Sequence, residues 1–150
     1  MIDLQFSDDL PEALASRRLL TQSRVRRWVR HALRAPHEAD QITLRVVDSA
    51  EGRALNRGYR GKAKDYATNV LTFDYQQTPF VVADIVLCAP VIAREASEQG
   101  KGLKAHWAHL IVHGVLHSQG YDHETNERDA LEMEALEVLL LQSLGYANPY

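Results

Sequence analysis

The spacing of apolar positions predicts alternating strands and helices in the first third of the chain. Apolar residues alternate with polar ones over residues 2–7 and again over 41–47, where the sequence QITLRVV is rich in β-branched side chains. That period of two is typical of strands. Between them, over 22–34, the apolar positions fall on one helical face and the arginines on the other, which predicts an amphipathic helix that ends before Pro36.

The middle of the chain predicts a short helix followed by a basic loop. Asp48 or Ser49 can cap a helix near residues 50–57, since short polar side chains accept hydrogen bonds from the first free amides of a helix. Residues 58–67, with the sequence GYRGKAKDYA, then carry glycine and basic residues without apolar periodicity. This pattern indicates a polar loop.

The remaining apolar runs predict a hairpin and three helices. Residues 69–74 and 80–88 are β-rich runs joined by a short connection, which favours a β-hairpin. Thr125 or Asn126 can cap the last of the helices. The predicted helices span about 90–99, 103–118 and 127–143. The resulting order, β α β α β β α α α, predicts an α+β fold in which a mixed β-sheet packs against helices, as a single domain over 1–150.

Composition fits a globular domain in a reducing compartment. The chain has 150 residues, of which 45% are hydrophobic and 25% are charged. The lone cysteine, Cys88, lies in an apolar run and is expected to be a core residue rather than a nucleophile. The first residues show no basic start or apolar signal segment, and no apolar run approaches the roughly 20 residues of a membrane span. We therefore expect a cytoplasmic protein with no membrane association.

Charge is distributed unevenly along the chain. Residues 1–75 contain 13 basic and 10 acidic residues, whereas residues 76–150 contain 4 and 10. All 13 basic residues of the first half lie between Arg17 and Lys64. This asymmetry allows a basic face for a polyanion, or only solvated helix faces, and charge alone does not choose between them.

Histidines are concentrated in one short segment, where their spacing predicts a metal site. His113 and His117 are four residues apart in a predicted helix, so both side chains leave one face. Gly120 can end that helix and allow the chain to return His123 to the same point. This spacing equals that of the metzincin zinc helix, except that Gly114 stands where those proteases carry their general-base glutamate. Three imidazoles leave a fourth zinc position for water, so a metzincin-like zinc-binding helix is predicted without protease chemistry.

Neighbouring residues have weaker claims on the same site. His109 lies one turn before His113, and His106 lies one turn before His109; both are either alternative ligands or, as we favour, packing or supporting residues. Asp122 and Glu124 flank His123. They are candidates to accept hydrogen bonds from the imidazole N–H groups of the metal ligands, or they are simply loop carboxylates. The methionine at position 133 lies within an amphipathic helix, which favours a packing role.

The segment HGVLHSQGYDH at 113–123 resembles the signature H-G-x-L-H-x-x-G-Y-D-H of the YbeY family. LNRGYR at 55–60 resembles the family's L-N-x-x-Y-R, and TNVLTF at 68–73 resembles its T-[DN]-V-L-[ST]-F. ADI at 83–85 stands where the family usually has G-D-I. Three departures are Ala83 itself, Ser118 after the second histidine, and about two extra residues between positions 60 and 65.

The resemblance implies a function and a set of site residues. Members are bacterial single-strand-specific endoribonucleases that act in ribosomal RNA processing, in 3′ end maturation of the small-subunit rRNA and in ribosome quality control. By position, the resemblance assigns one Zn²⁺ per chain to His113, His117 and His123, and it assigns to Arg60 the role of acting on the RNA phosphate. The implied partners are single-stranded RNA, ribosomal RNA and the ribosome or its small subunit; the sequence predicts no oligomeric state.

Three functional hypotheses follow. The first is a zinc-dependent endoribonuclease in which Arg60, a permanently charged guanidinium in a basic loop, grips a phosphate. The second is a ribosome assembly factor without catalytic activity, whose zinc serves structure only. The third is a metallohydrolase of another substrate such as a peptide, against which Gly114 argues. The first is favoured, mainly because of the family resemblance.

Overall fold

The computed structural model describes residues 1–8, 10, 16–122 and 124–150, and within them four strands and six helices are defined. The strands are β1 (Ile2–Phe6), β2 (Gln41–Val47), β3 (Val70–Gln76) and β4 (Val82–Cys88). The helices are α1 (Ser16–Leu19), α2 (Gln22–Ala32), α3 (Ser49–Arg60), α4 (Ala89–Glu98), α5 (Leu103–Ser118) and α6 (Glu127–Ser143). Apart from α1, which the sequence pattern does not predict, the elements follow the predicted order.

The four strands form one mixed sheet in the order β1-β2-β4-β3. Strand β2 lies between β1 and β4 and is parallel to both, with Leu44 opposite Ile85 of β4. Strand β3 forms the far edge and pairs with β4 in antiparallel fashion, as the predicted hairpin requires. The predicted α+β architecture, a mixed sheet packed against helices, is confirmed.

Strand β4 supplies apolar residues to both faces of the sheet. Ala83, Ile85 and Leu87 belong to the larger core beneath α2, α5 and α6, whereas Val86 and Cys88 belong to a smaller cluster on the opposite face. This alternation follows from the two-residue period of a strand. Cys88 is 1% exposed, and burial raises the pKa of its thiol, so the predicted core role is confirmed.

Helix α3 is longer than predicted, and this changes the setting of Arg60. The helix begins after Asp48, whose side chain accepts a hydrogen bond from the Glu51 amide at 2.8 Å. It continues through residues 58–60 and ends at Gly61, which has a φ of 97°. The prediction that Arg60 lies in a loop is therefore wrong: Arg60 occupies the last helical turn. Gly58 misled the prediction because one glycine lowers helix stability without ending the helix.

The basic segment after α3 is folded back onto the helix. Asn56 is buried, and its Nδ2 donates to the carbonyl oxygens of Lys64 at 3.2 Å and Tyr66 at 2.9 Å. Arg53 and Asp65 add a two-pronged ion pair, with nitrogen–oxygen distances of 2.7 and 2.8 Å. Residues 62–64 form a single 3₁₀ turn within this segment. The apparent extra residues thus lie beyond α3, and the helix itself positions Arg60.

Helix α5 is the central helix of the larger core. Eleven of its 16 residues are buried, which explains why its sequence is apolar on nearly every side. Helix α6 lies against it and begins at Asn126, whose side chain accepts from the Asp129 amide at 2.8 Å, as predicted. In the parts of the chain that the structure describes, no helix combines the length and apolar character needed to cross a membrane.

Gly114 sets the distance between α5 and the sheet. A Cβ atom at this position would lie 2.9 Å from Cγ2 of Ile85 in β4 and 3.4 Å from Cγ2 of Val70 in β3. Ile85 is fully buried and β-branched, so its side chain has little freedom to move away. The helix can approach the strands this closely only because residue 114 has no side chain.

This contact predicts opposite effects of alanine at two helical glycines. Gly114→Ala should lower the free energy of unfolding by about 1–3 kcal/mol, the usual cost of overpacking, which exceeds the gain in helix propensity. The matched change Gly58→Ala in α3, where a Cβ would meet nothing within 4 Å, should raise it by up to about 1 kcal/mol. Urea unfolding measures both. Equal effects would show that Gly114 is not a packing glycine.

Candidate metal centre

Two of the three predicted zinc ligands lie on one side of α5. His113 and His117 are one turn apart, and both are partly buried. His123, the third predicted ligand, lies outside the described residues. Among the residues that are described, no three histidine, cysteine or acidic side chains are grouped so as to hold a metal ion. The three-histidine zinc site therefore stays a prediction, with two ligands whose helix and side are defined.

A buried carboxylate, that of Glu137, contacts the Nδ1 side of the His113 ring. Nδ1 of His113 lies 2.7 Å from Oε1 of Glu137 in α6, within hydrogen-bond distance. Nε2 of His109 lies 3.3 Å from the same oxygen but has no hydrogen bond of good geometry. The other oxygen, Oε2, accepts from the hydroxyl of Tyr150 at 2.5 Å. Because Glu137 is only 1% exposed, these neighbours replace water as the partners of its charge.

The neighbours of Glu137 determine its ionisation. Burial by itself raises the pKa of this carboxyl, but its contacts with His109 and His113, together with the Tyr150 hydrogen bond, outweigh burial and lower the pKa to about 2. The pKa of the Tyr150 hydroxyl is raised, first by burial and then by its hydrogen bond to Glu137. Glu137 is therefore a carboxylate, and Tyr150 is a neutral phenol that donates to it.

The imidazole nitrogens of His113 and His117 are suitable ligands for zinc. Imidazole nitrogens are ordinary zinc ligands, and such histidines usually donate their second ring N–H to a carboxylate or carbonyl. His113 and Glu137 stand in that relation. Nδ1 of His117 is buried without a hydrogen-bond partner, which costs free energy that a metal ion would offset. On these grounds His113 and His117 suit a metal site.

The candidate centre opens into a cleft of about 330 Å³. Its described lining comes from α3, from β3 and the residues before it, from α5 and α6 with the loop between them, and from the chain after α6. The lining residues are Arg60, Thr68, Asn69, Val70, His109, Leu110, His113, Glu124, Glu134, Glu137 and Tyr150. The structure thus brings the predicted phosphate-binding Arg60 and the predicted ligand His113 to one cleft, although they are 53 positions apart in the sequence.

Arg60 is the member of the predicted basic loop that faces this cleft. Lys62 instead lines a neighbouring depression with Arg53 and Arg57. Arg60 is exposed, and no ion pair joins it to another described residue. Its charge is therefore directed to solvent and to whatever occupies the cleft.

A second histidine–carboxylate pair lies beneath the start of β3. His106 is 3% exposed, and its Nε2 lies 3.1 Å from Oε1 of Glu95 in α4. Glu95 in turn accepts from Nδ2 of Asn69 at 3.2 Å, while Oδ1 of Asn69 accepts from the Val70 amide at 2.6 Å. His106 is therefore buried, as predicted for a packing residue, and Glu95 links it to Asn69 at the edge of the cleft.

Sequence reasoning missed Glu137. It lies four residues after Met133, which is fully buried and has the predicted packing role, and three and four residues before the buried Leu140 and Leu141. A carboxylate on the apolar face of an amphipathic helix is the signal that could have identified it, since a buried charge requires a specific partner. Glu124 lines the cleft beside these residues, and the backbone amide of Glu124 donates to Asp122 at 2.8 Å.

The sequence profile of the family described as Endoribonuclease YbeY matches residues 13–145. This chain belongs to that family. Relatives named Endoribonuclease YbeY include those of Polaromonas sp. (strain JS666), 62% identical over 99% of this chain and 93% of the relative, and of Acidovorax sp. (strain JS42), 59% identical over 99% and 94%. The family resemblance that the histidine segment indicated is confirmed.

The fold also matches a solved structure. The solution structure of TM1509 from Thermotoga maritima superimposes with a TM-score of 0.64 and covers 96% of this chain and 89% of its own. Sequence identity is 22%, so this likeness concerns the fold alone. It shows that the arrangement of sheet and helices found in this member of the YbeY family tolerates wide sequence change.

His106 predicts a pH dependence of stability in this YbeY family member. Burial, partly opposed by Glu95, lowers the pKa of His106 below 6.5, so the folded protein resists its protonation more than the unfolded chain does. Its contribution to stability is therefore complete above about pH 6.5 and is lost as the pH falls below that value. His106→Gln keeps a donor toward Glu95 but does not titrate.

The measurement is urea unfolding at pH 7.5 and pH 5.0, with a chelator present so that metal release does not contribute. We expect the loss of unfolding free energy between these pH values to be smaller in His106→Gln than in the wild type. A loss of equal size in both proteins would contradict the role given to His106.

Proposed function

We propose that this protein is a zinc-dependent endoribonuclease that cuts single-stranded RNA. One observation carries the proposal: Arg60 of α3 and His113 of α5 line the same cleft, in a chain that belongs to the Endoribonuclease YbeY family. A guanidinium and a candidate metal ligand facing one small cavity are suited to holding a phosphodiester. His113, His117 and His123 are the proposed ligands of one zinc ion per chain.

The residues of the cleft have separable tasks in this proposal. Zinc, when bound, supplies a Lewis acid at the phosphate and lowers the pKa of water toward neutrality. Arg60 binds two phosphate oxygens through its planar fork of N–H donors and offsets the negative charge that develops during cleavage. Glu137 accepts from His113 and holds that ring in one orientation.

The size of the cleft favours a single strand. About 330 Å³ is at the lower end of the range for small-molecule sites, so it accommodates a short stretch of extended chain rather than a double helix. Exposed arginines on α2, namely Arg26, Arg27 and Arg30, have no ion pair with any described residue. They belong to the Arg17–Lys64 region and are proposed to attract the RNA backbone outside the cleft.

Peptide hydrolysis is disfavoured by the packing of α5. The metzincin glutamate would have to stand at position 114, where even a Cβ atom would lie 2.9 Å from Ile85. That position faces the sheet, so a longer side chain there has no path to the cleft without displacing β4. The alternative of an assembly factor with a purely structural zinc is separated from the proposal by the experiments below.

The cellular role proposed from the family resemblance is ribosomal RNA processing. It includes 3′ end maturation of the small-subunit rRNA and ribosome quality control, in the cytoplasm and in contact with the ribosome or its small subunit. Membership of the Endoribonuclease YbeY family supports an RNA substrate for this chain.

Charge reversal at Arg60 tests the proposed phosphate contact. Arg60→Glu should lower the cleavage rate of a labelled single-stranded RNA by roughly 10²–10³-fold, the usual cost of removing one group that stabilises developing charge. His117→Ala should abolish cleavage with it. Arg57→Glu is the matched control, because it makes the same charge change one turn earlier on α3 but lines a different depression; it should keep the rate within about twofold.

Two outcomes would contradict the proposal. Equal cleavage by the wild type, Arg60→Glu and His117→Ala would indicate a contaminating nuclease. Equal losses in Arg57→Glu and Arg60→Glu would show that only bulk charge matters.

A complementation experiment tests the assembly-factor alternative. In cells depleted of the protein, folded Arg60→Glu should fail to restore mature small-subunit rRNA 3′ ends, whereas an assembly factor without catalysis would still restore them.

Metal removal separates catalytic zinc from structural zinc. Treatment with EDTA should abolish RNA cleavage while the far-ultraviolet circular dichroism spectrum at 25 °C stays unchanged, because buried apolar contacts with the sheet and α6 stabilise α5. Stoichiometric zinc should restore cleavage. Unfolding on chelation would instead favour the structural role.

A further inference from the structure

We propose that Glu137 is a positioning residue for the metal centre and that Tyr150 fixes Glu137 in place. Neither residue belongs to the histidine segment at 113–123 or to the other motifs that resemble the family. The inference rests on the proposed function for the presence of zinc, and it assigns the orientation of His113 to a carboxylate 24 positions away.

The first step concerns the cost of the buried charge. Glu137 is 1% exposed in a core that also contains Met133 and Leu141, where an unpaired carboxylate would be strongly unfavourable. An apolar residue would fill the same volume at lower cost. The role of the charge must therefore lie in its contacts. These are the candidate zinc ligand His113, the second cleft histidine His109 and the phenol of Tyr150.

The second step concerns the orientation of His113. A neutral imidazole has one N–H and one lone pair on its two ring nitrogens, so a carboxylate that accepts from Nδ1 leaves the lone pair on Nε2. The 2.7 Å contact with Glu137 thus selects the form of His113 in which Nε2 can bind a metal ion. It also fixes the plane of the ring before any metal arrives.

The third step concerns Tyr150, which holds the second oxygen of the carboxylate. Its hydroxyl donates to Oε2 at 2.5 Å, and its ring meets the His109 ring edge-on at a centroid distance of 5.4 Å. With one oxygen on His113 and the other on Tyr150, Glu137 has little freedom to rotate. The chain segment after α6 is held by a further bond, from Lys101 Nζ to the carbonyl oxygen of Pro149 at 2.5 Å.

The test measures zinc affinity rather than RNA cleavage. Glu137→Gln keeps the size of the side chain but removes its charge, and we expect the dissociation constant for zinc, measured by competition with a chromophoric chelator, to rise roughly 10–100-fold. The matched control is Glu134→Gln, which removes a charge from the same cleft one turn earlier on α6; it should stay within about twofold of the wild type. The melting temperature of the metal-free Glu137→Gln protein should fall modestly, because the hydrogen bonds that His113 and Tyr150 make to a carboxylate are stronger than those to a neutral amide.

A second variant and a spectroscopic readout keep the inference testable if Glu137→Gln folds poorly. Tyr150→Phe deletes one hydroxyl and should weaken zinc binding less than Glu137→Gln does. Nitrogen-15 NMR of the histidine rings, recorded at pH 8 without metal, should show His113 with its proton on Nδ1 in the wild type and a mixture of both ring forms in Glu137→Gln. A purely structural role of Glu137 would not shift that ring equilibrium.

The outcomes distinguish this inference from the proposed function. If the wild type binds no zinc, the metal part of the proposed function fails, and the inference fails with it. If the wild type binds zinc and cleaves RNA, but Glu137→Gln and Tyr150→Phe keep wild-type zinc affinity and an unchanged His113 ring form, the inference alone is overturned.

Discussion

Helix α5 lies directly on the sheet where Gly114 meets Ile85, and the direction of every histidine on the helix follows from that contact. With residue 114 facing the strands, an α-helical step of 100° places the side chains at 106, 109, 113 and 117 within an arc of about 80° on one flank. On that flank His109 and His113 meet Glu137 of α6, and His106 meets Glu95 of α4. Gly114, which stands where the proteases have their general base, thus also sets the direction in which the histidines of α5 point.

The cleft beside this flank is better suited to orienting a phosphate than to attracting RNA from a distance. Of its described lining residues, one is a guanidinium and three are carboxylates. Hydrogen bonds from His113 and Tyr150 stabilise the charge of Glu137 without cancelling it, so the three carboxylates together oppose the attraction that Arg60 exerts on a polyanion. Long-range attraction is therefore a task for basic surface elsewhere, such as the exposed arginines of α2, and Arg60 contributes direction and contact.

Much of this architecture could be predicted from local sequence, because period and capping residues are local properties. The ranges of α5 and α6 and the caps Asp48 and Asn126 agree with their predictions, since each depends on residues within a few positions. The end of α3 was mispredicted because Gly58 and Gly61 look alike in sequence. What distinguishes them is the positive φ at Gly61 and the return of the chain onto Asn56.

The partners of the candidate site could be predicted only where a motif marked them. Arg60 was identified through resemblance, and its approach to His113 depends on how α3 and α5 pack on either side of the sheet, which no local pattern encodes. Glu137 was missed because α6 carries several carboxylates, and only its spacing from Met133, Leu140 and Leu141 places it on the apolar face. His113 shows the same limit: its helix was predictable, but the oxygen that orients its ring was not.

The supporting contacts of His113 have a consequence for how the protein is made. A ribosome releases α5 well before residues 137 and 150, so a nascent chain can present its histidines while the carboxylate that orients them is still missing. The ribosome adds about 5–20 residues per second, and domains begin to fold while synthesis continues. Seconds therefore pass between the appearance of α5 and the appearance of residues 137 and 150. The proposed centre is complete only after residues 137 and 150 have been made and have docked, so His113 acquires its final orientation later in synthesis than its own helix.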